Sequence, residues 1–346
     1  MQFETIILNK ERNVTLSAYI HDYGEEYGEN LKIRPAVIVL PGGGYWICSD
    51  KEAEPVASAF FNAGFQAYVL RYTVKDKGEW DNPLKDYEAA VDYINVNALK
   101  LQTDVKRIAV CGFSAGGHLA AYAATSAKIR PAAAILGYAP LSGDICTSLL
   151  PGVKTPAELI DDKTCPCFLF AARDDNIVDI ENTVEFQRVL TKKGINFEAH
   201  IYSFGGHGFS IGTPILNDGR LSERVKNWVT DSIEWLGECW GQLTFSGYTK
   251  PQFKRTVNAN FEPFLSVDCT LSYLIEQSAE VKAMLSEVDL KLKTLLQCMK
   301  LDPQKAYILI STKYRLCDLL QTLKYPEDKV DELDKILKVI PNKMKG

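Results

Sequence analysis

A serine flanked by glycines lies at residues 112–116, Gly-Phe-Ser-Ala-Gly, between an apolar run and an alanine-rich segment. The apolar run predicts a strand and the alanine-rich segment predicts a helix. A sharp turn from strand to helix would strain the backbone of Ser114 and would require small neighbours, which explains the glycines. It would also hold the hydroxyl near a helix N-terminus, where developing negative charge is favoured. We therefore predict that Ser114 is a nucleophile, the plainer alternative being an ordinary helix cap.

A nucleophilic serine needs a base, and the chain has four histidines. His207 lies in a glycine-rich loop after the last predicted strand, and such a loop can bring an imidazole across the end of a sheet. His118 follows Ser114 by one helical turn and is expected to pack in the core. His21 lies at the end of a predicted edge strand, before a polar turn, and His200 lies inside the last predicted strand. We predict that His207 is the base.

A base of this kind is oriented by a carboxylate that fixes its tautomer and stabilises the imidazolium. Asp174 and Asp175 both follow the apolar run at residues 167–172, so either can supply that group. The chain order serine, aspartate, histidine is the order expected for a serine at a strand-to-helix turn. The aspartate that is not used is expected to form a turn, and Asp179 is expected to cap the next helix.

Three consecutive glycines, residues 42–44, follow the apolar run at 36–40. Glycines allow backbone N–H groups to turn towards a ligand oxygen, so we predict that Gly43, Gly44 and Ala115 donate to an oxyanion. The spacing required for a phosphate-binding or dinucleotide-binding loop is absent. Tyr45 and Trp46 come next and are candidate substrate contacts, although packing explains an aromatic residue there equally well.

Strands and helices alternate through the first two thirds of the chain, which indicates a mostly parallel sheet covered on both faces. The first two strands have no helix between them and predict an antiparallel pair at one edge. The strands are expected at residues 4–8, 14–20, 36–40, 66–72, 107–111, 132–138, 167–172 and 197–202. The helices are expected at residues 53–64, 83–98, 115–127, 181–194 and 222–238.

The last third has a different pattern. Residues 1–243 predict one domain, 244–262 a polar linker, and 263–346 a small all-α domain with no glycine before the last residue. This helical tail could serve in dimerisation, docking or covering of the substrate, or it could simply cover apolar surface. The sequence leaves these roles and homo-oligomer formation open.

Composition excludes several classes of function. A net charge of −5 without a basic block argues against a nucleic-acid partner, and no apolar stretch is long enough for a membrane span. The N-terminus does not resemble a signal peptide, and the nine scattered cysteines indicate thiols in a reducing compartment, so we expect a cytoplasmic protein. The histidine and cysteine spacing predicts no metal site, and no cofactor is expected.

Together these segments resemble the α/β-hydrolase superfamily over about residues 1–240. The string PGGGYW is similar to the His-Gly-Gly-Gly oxyanion motif of hormone-sensitive-lipase-like esterases, with Pro41 in place of the histidine. GFSAGGHLA resembles the nucleophile turn of small acetyl esterases and acetyl-xylan esterases, and GGHGF resembles the family's histidine loop. RDDNIV resembles the acid loop in which the first aspartate is catalytic, which implies Asp174.

The resemblance implies an α/β-hydrolase fold, a triad of Ser114, Asp174 and His207, and a small-molecule ester substrate. It points to removal of short acyl groups, acetyl above all, from carbohydrates such as acetylated xylo-oligosaccharides. Two alternatives stay open: a serine peptidase or amidase of the prolyl-oligopeptidase-like type, and a non-catalytic binding protein on the same fold.

Overall fold

The structure, a computed structural model, describes residues 1–22, 26, 28–75, 81–149, 152–217, 222–251, 260–299 and 302–343. The chain divides into two compact units. The sheet unit consists of residues 1–190 and 195–255, and the helical unit consists of residues 191–194 and 256–346.

The sheet unit is built on one eight-stranded sheet with the order β1-β2-β4-β3-β5-β6-β7-β8. The first two strands pair antiparallel at one edge, as predicted, and β2 is also antiparallel to β4. All other neighbours are parallel. The strands are β1 Gln2–Asn9, β2 Val14–Ile20, β3 Arg34–Leu40, β4 Gln66–Arg71, β5 Thr103–Phe113, β6 Ala133–Gly137, β7 Cys167–Ala172 and β8 Phe197–Tyr202.

Apolar side chains on both faces explain why the sheet is covered on both sides. In β3, Ile38 and Leu40 belong to one buried cluster, whereas Val37 and Val39 belong to the other. This alternation follows from the two-residue period of a strand, and a continuous apolar run is typical of a strand buried on both faces. The prediction of a mostly parallel sheet with two covered faces is confirmed.

Among the described residues, six α-helices accompany the sheet: α1 Glu54–Asn62, α2 Asn82–Val96, α3 Ala115–Ser126, α4 Gly143–Leu149, α5 Glu181–Lys193 and α6 Asn227–Trp240. Helices α1 and α6 supply side chains to one core cluster, whereas α2, α3 and α5 supply the other. The sequence pattern did not predict the short α4. It also predicted that α6 starts at 222, but residues 223–226 form turns and the helix begins at Asn227.

Parallel strands end at the same edge of a sheet, and this fact brings the predicted site residues together. Ser114 directly follows β5, and the three glycines follow β3 after Pro41. The aspartate pair follows β7, and His207 lies five residues beyond the end of β8. The loops that leave these four strands therefore meet at the carboxyl edge of the sheet.

The stretch predicted as a linker, residues 244–262, is partly structured. A short hairpin pairs β9, Leu243–Thr244, with β10, Gly247–Tyr248. The Tyr248 ring lies 3.7 Å from the guanidinium carbon of Arg107 and packs on it as a cation–π pair. Residues 252–259 of the predicted linker lie outside the described residues.

The helical unit contains short helices around its own buried cluster of leucine, valine and cysteine side chains. These helices are α7 Leu271–Ile275, α8 Ala279–Met284, α9 Ser286–Gln297, α10 Pro303–Lys313, α11 Leu316–Thr322 and α12 Glu327–Leu337. Side-chain caps start two of them: Ser278 accepts the N–H of Val281, and Asp302 accepts the N–H groups of Gln304 and Lys305. Over the described ranges of the whole chain, each helix is too short or too polar to cross a bilayer.

Candidate active site

Ser114 occupies a strained turn between β5 and α3. Its backbone has φ 50° and ψ −121°, and its N–H donates to the carbonyl of Gly137 over 3.0 Å. The flanking glycines are required by space: a Cβ at Gly112 would lie 2.2 Å from the carbonyl oxygen of Gly116. A Cβ at Gly116 would lie 2.1 Å from the carbonyl oxygen of Leu40. A strained backbone of this kind persists only where its surroundings determine it fully, and it is typical of functional positions.

His207 lies next to this serine. Its Nε2 is 2.9 Å from Oγ of Ser114, which is hydrogen-bond distance. The histidine loop, residues 203–210, bends at two glycines with positive φ on either side of the imidazole, Gly206 at 63° and Gly208 at 76°. The imidazole is mostly buried, with 17% of its side chain exposed. The structure therefore pairs the two residues that the sequence predicted as nucleophile and base.

The carboxylate that contacts His207 belongs to Asp175, and not to Asp174 as predicted. Oδ2 of Asp175 is 2.7 Å from Nδ1 of His207, and only 1% of the Asp175 side chain is exposed. Its other oxygen accepts the backbone N–H groups of Ile177 and Val178 over 2.8 and 2.9 Å. These two donors fix the carboxylate, so its free edge faces the imidazole.

Asp174 has a different position at the same turn. It is exposed, and its Oδ1 accepts the backbone N–H groups of Gly205 and Gly206, each over 2.9 Å. Asp174 thus holds the start of the histidine loop without touching the imidazole. The physical reason is the turn after β7, in which the N–H of Asp175 donates to the carbonyl of Ala172 and turns the second carboxylate inward.

The motif could not separate the two aspartates because it fits twice. The family's acid loop places its aspartate three residues before a valine or isoleucine. Both Asp174, three residues before Ile177, and Asp175, three residues before Val178, satisfy this spacing. Which carboxylate faces the imidazole depends on the backbone of the turn, and two identical neighbouring side chains give no sequence signal about that backbone.

The N–H groups predicted to bind an oxyanion lie on two rigid supports. In the glycine loop, residues 41–46, the carbonyl of Gly42 accepts the N–H of Ser49 over 2.9 Å, and the carbonyl of Gly43 accepts the N–H of Trp46 over 3.0 Å. A trans peptide directs its N–H opposite to its C=O, so these bonds turn the N–H groups of Gly43 and Gly44 away from the loop's own turn.

Ala115 is the first residue of α3, and the first N–H groups of a helix have no partner within the helix. Within the described part of the chain, no acceptor is bonded to the N–H of Gly43, Gly44 or Ala115. All three predicted donors are therefore available to a ligand.

The two aromatic residues after the glycines have opposite surroundings. The hydroxyl of Tyr45 is 2.8 Å from Nδ1 of His118, and its ring packs against the buried core, so the structure argues for packing and against substrate contact. Trp46 is 65% exposed and lines a cavity of about 320 Å³ together with Arg12, Arg71 and neighbouring side chains. Of the two, only Trp46 is accessible to a substrate.

The other histidines have structural partners. His118 is fully buried, as predicted, and burial lowers its pKa to about 3, so it stays neutral near pH 7. Nε2 of His21 is 2.9 Å from the carbonyl of Phe61, and His200 lies 2.7 Å from Glu198. Among the described residues, no group of three His, Cys, Asp or Glu side chains could hold a metal ion.

Sequence reasoning missed one more polar group at the site. Glu52 is 3% exposed, and its carboxylate accepts the N–H of Gly42. The residue lies in a polar segment before α1, where a glutamate is expected at the surface. No local sequence pattern predicts that the Glu52 side chain is buried.

Comparison with known proteins identifies the family to which the chain belongs. Residues 27–135 match the model of the BD-FAE family. MGS-M1, an alpha/beta hydrolase enzyme from a Medee basin deep-sea metagenome library, has a solved structure that superposes with a TM-score of 0.64 at 37% identity. The match covers 69% of this chain and 97% of that one. The chain belongs to the α/β-hydrolase family.

Two curated relatives of this α/β-hydrolase are larger proteins. Endo-1,4-beta-xylanase B of Butyrivibrio fibrisolvens is 32% identical over 228 residues, which is 57% of this chain and 34% of the relative. Acetylxylan esterase of Xylanibacter ruminicola is 28% identical over 217 residues, which is 56% of this chain and 45% of the relative. The chain thus matches less than half the length of either curated relative.

Proposed function

We propose that this α/β-hydrolase is a serine esterase that removes short acyl groups, acetyl above all, from carbohydrate esters. The observation that supports this most strongly is the continuous contact from Ser114 through His207 to Asp175, with distances of 2.9 and 2.7 Å. A hydroxyl, an imidazole and a buried carboxylate in this order are the parts of a nucleophile that is activated by a base.

The proposed reaction begins when His207 accepts the proton of Ser114 as Oγ attacks the ester carbonyl carbon. The carbonyl π electrons move to oxygen, and the N–H groups of Gly43, Gly44 and Ala115 bind the resulting oxyanion. Asp175 stabilises the imidazolium that forms. His207 then donates the proton to the leaving alkoxide, so an alcohol departs and an acyl group stays on Ser114.

Water completes the cycle by the same route. His207 accepts a proton from water as its oxygen attacks the acyl carbon, and the second oxyanion occupies the same donors. Collapse of this intermediate breaks the bond to Oγ of Ser114, which regains its proton from His207. One ester and one water give one carboxylic acid and one alcohol, and no cofactor takes part.

The substrate class rests on the relatives and on Trp46. One relative is an acetylxylan esterase and another is a xylanase, so acetylated xylo-oligosaccharides are our proposed substrate. The indole of Trp46 is exposed, directly follows the three glycines and Tyr45 in sequence, and lines a cavity with Arg12 and Arg71, which suits contact with the alcohol part of the ester.

Acetate release from acetylated xylo-oligosaccharides, with wild type and Ser114→Ala side by side, tests the proposal. We expect release by the wild type and a loss of about 10⁴-fold or more in the variant. Ser126→Ala is the matched control, because its hydroxyl only donates to the carbonyl of Tyr122 within α3. Release that is equal in all three proteins would refute the nucleophile. Hydrolysis of simple acyl esters without release from the oligosaccharides would refute the substrate class alone, whereas hydrolysis of peptide amides but not of esters would refute the esterase assignment.

A further inference from the structure

One buried carboxylate connects the two loops that surround the proposed nucleophile. Oε2 of Glu52 accepts the N–H of Gly42 in the glycine loop over 2.9 Å. Oε1 of Glu52 accepts the hydroxyl of Tyr138 over 2.7 Å. The Tyr138 oxygen in turn accepts the N–H of Ser210, the last residue of the histidine loop, over 3.0 Å. Three hydrogen bonds therefore span the site from one loop to the other.

The space around Gly42 explains why the Glu52 carboxylate can come so close to the glycine loop. A Cβ on Gly42 would lie 2.6 Å from Oε2 of Glu52, so only glycine admits the carboxylate at this distance. The carboxylate fixes the peptide before Gly42, and the N–H of Ser49 fixes the peptide after it. Because a trans peptide is planar, the direction of the Gly43 N–H is then determined.

The contacts at Tyr138 act on the other loop. The Tyr138 ring lies edge-on to the imidazole of His207, with ring centroids 5.1 Å apart. Both Tyr138 and Ser210 have positive φ, 36° and 51°, which non-glycine residues rarely adopt. Further bonds hold Ser210 in this conformation, because its carbonyl accepts the indole N–H of Trp228 over 2.8 Å and its hydroxyl donates to the carbonyl of Lys51.

The direction of each bond assigns the protons. The hydroxyl of Tyr138 receives the N–H of Ser210, so its own proton points to Glu52. Burial raises the pKa of Tyr138 well above its ordinary value, which keeps this proton in place. Both oxygens of the Glu52 carboxylate therefore accept hydrogen bonds. A glutamine side chain could accept only one of them, because its amide has one acceptor oxygen and one donor nitrogen.

We propose that Glu52 is a positioning residue, which acts through Gly42 and through Tyr138 to hold the oxyanion donors and His207 at one fixed separation. The inference rests on the proposed function, because it concerns the transition state of that ester hydrolysis. Loosening either end displaces a donor or the base by a fraction of an ångström. Such a displacement weakens binding of the transition state more than binding of the ground state.

The test uses Glu52→Gln, Tyr138→Phe and the double variant in the full chain. We expect each single variant to lower kcat for an activated acetyl ester by about 10- to 100-fold while KM changes by less than about threefold. The inhibition constant of a methyl trifluoromethyl ketone, which forms an oxyanion on the serine, should rise by the same factor. The double variant should lose little more than the worse single variant, because both act through one chain of bonds.

Tyr68→Phe is the matched control. Tyr68 is also fully buried, and its hydroxyl is 2.6 Å from Oγ1 of Thr103, at the amino-terminal end of β5 and far from Ser114 along that strand. This variant loses a buried hydroxyl and some stability, and it should keep kcat. Equal falls of kcat in Tyr68→Phe and Tyr138→Phe would indicate general destabilisation and would overturn the proposal.

The outcomes separate this inference from the proposed function. A wild type that hydrolyses the ester, with kcat unchanged in Tyr138→Phe, overturns the positioning role and leaves the esterase proposal intact. A wild type without ester hydrolysis overturns the esterase proposal, and the rate of fluorophosphonate labelling of Ser114 then tests the same variants. Should Glu52→Gln fail to fold, Tyr138→Phe decides, because it removes a single oxygen atom.

Discussion

The sheet unit and the helical unit differ in the interactions that determine their backbone conformations. Around the candidate site, Tyr45, Ser114, Tyr138 and Ser210 all have positive φ, and buried polar bonds determine their conformations. In the described part of the helical unit, Lys324 is the single non-glycine residue with positive φ, and it lies two residues beyond the end of α11. Left-handed backbone just after a helix is ordinary, whereas four such residues at one site, the serine included, are not.

This difference indicates where the chemistry lies. Strained backbone lowers stability and persists only where the surrounding structure determines it, so it is expected to cluster at a functional site. The helical unit instead relies on leucine packing and on helix caps, which build structure without storing strain. We infer that changes in the sheet-unit loops affect catalysis first, and that changes in the helical unit affect stability first.

The largest expected effect is that of His207→Gln. Loss of the base should lower kcat for ester hydrolysis by about 10⁴-fold or more, because the serine then has no proton acceptor. The control is His200→Gln, which changes a histidine on β8 that contacts Glu198 instead of Ser114. Initial-rate kinetics of the two purified variants would check this. Equal losses in both would mean that the histidine loop has no special role.

Gly43→Ala should have the next largest effect. Gly43 has φ 124°, and a Cβ there would lie 2.3 Å from the carbonyl oxygen of Ile47, so the loop must move and its N–H must turn. Loss of one oxyanion donor lowers kcat by about 10²- to 10³-fold. Gly247→Ala is matched, because Gly247 has φ 102° with open space around it in the β9–β10 hairpin. Steady-state kinetics should separate the two, and a Gly43→Ala enzyme with normal kcat would contradict the assigned donors.

Leu285→Ala tests whether changes in the helical unit affect stability and leave catalysis unchanged. Leu285 is fully buried in the helical unit, and truncation of a buried leucine lowers the free energy of unfolding by about 2–5 kcal/mol. Hydrogen exchange followed by mass spectrometry should show faster exchange in peptides of α8 and α9, while kcat changes by less than about twofold. A parallel loss of kcat would instead show that the helical unit takes part in catalysis.

Acid should destabilise the sheet unit through a buried histidine, and all four histidines of the chain precede residue 208. Burial lowers the pKa of His118 to about 3 in the folded chain, well below its ordinary value. Between about pH 6.5 and pH 3, this histidine is therefore protonated in the unfolded chain and neutral in the folded chain. Stability therefore falls as pH drops towards 3, with a slope of up to about 1.4 kcal/mol per pH unit. Urea unfolding of wild type and His118→Gln across this range should show a shallower acid limb in the variant, and identical limbs would refute the assignment.

Asp302→Ala should have the smallest effect. Its carboxylate caps α10 by accepting the N–H groups of Gln304 and Lys305. Removal of such a cap lowers helix stability by about 1 kcal/mol. The exposed Lys305→Ala change in the same turn keeps the cap and is the control. Differential scanning calorimetry should show a lower transition temperature for Asp302→Ala only, with ester hydrolysis unchanged.

Much of the fold follows from sequence pattern alone. The runs at 14–20, 167–172 and 197–202 match β2, β7 and β8 residue for residue, because buried strands are short apolar runs between turn residues. The pattern failed at α4, which spans only seven residues and is too short to show a helical period. It also extended α6 into a turn, since residues 223–226, three of which are charged, suit either structure.

The candidate site divides in the same way. Ser114 and His207 could be predicted because the glycines beside them indicate the tight backbone turns on which each residue lies. Asp175 was one of two candidates and was not the one selected, because the contact of its side chain depends on the backbone of a turn. Glu52 was not found, because its partners are far away in sequence. Glu52 meets Tyr138, which is 86 residues later, and no local pattern encodes such a distance.

The rates at which a fluorophosphonate labels wild type, Asp174→Asn and Asp175→Asn would test the proposed triad most directly, with the labelled residue located by mass spectrometry. The two aspartates are neighbours, so the pair controls for charge and for position at the turn. We expect labelling on Ser114, slowed by about 10²-fold or more in Asp175→Asn and by less than about tenfold in Asp174→Asn. Labelling of another residue, or a larger loss in Asp174→Asn than in Asp175→Asn, would contradict the triad of Ser114, His207 and Asp175.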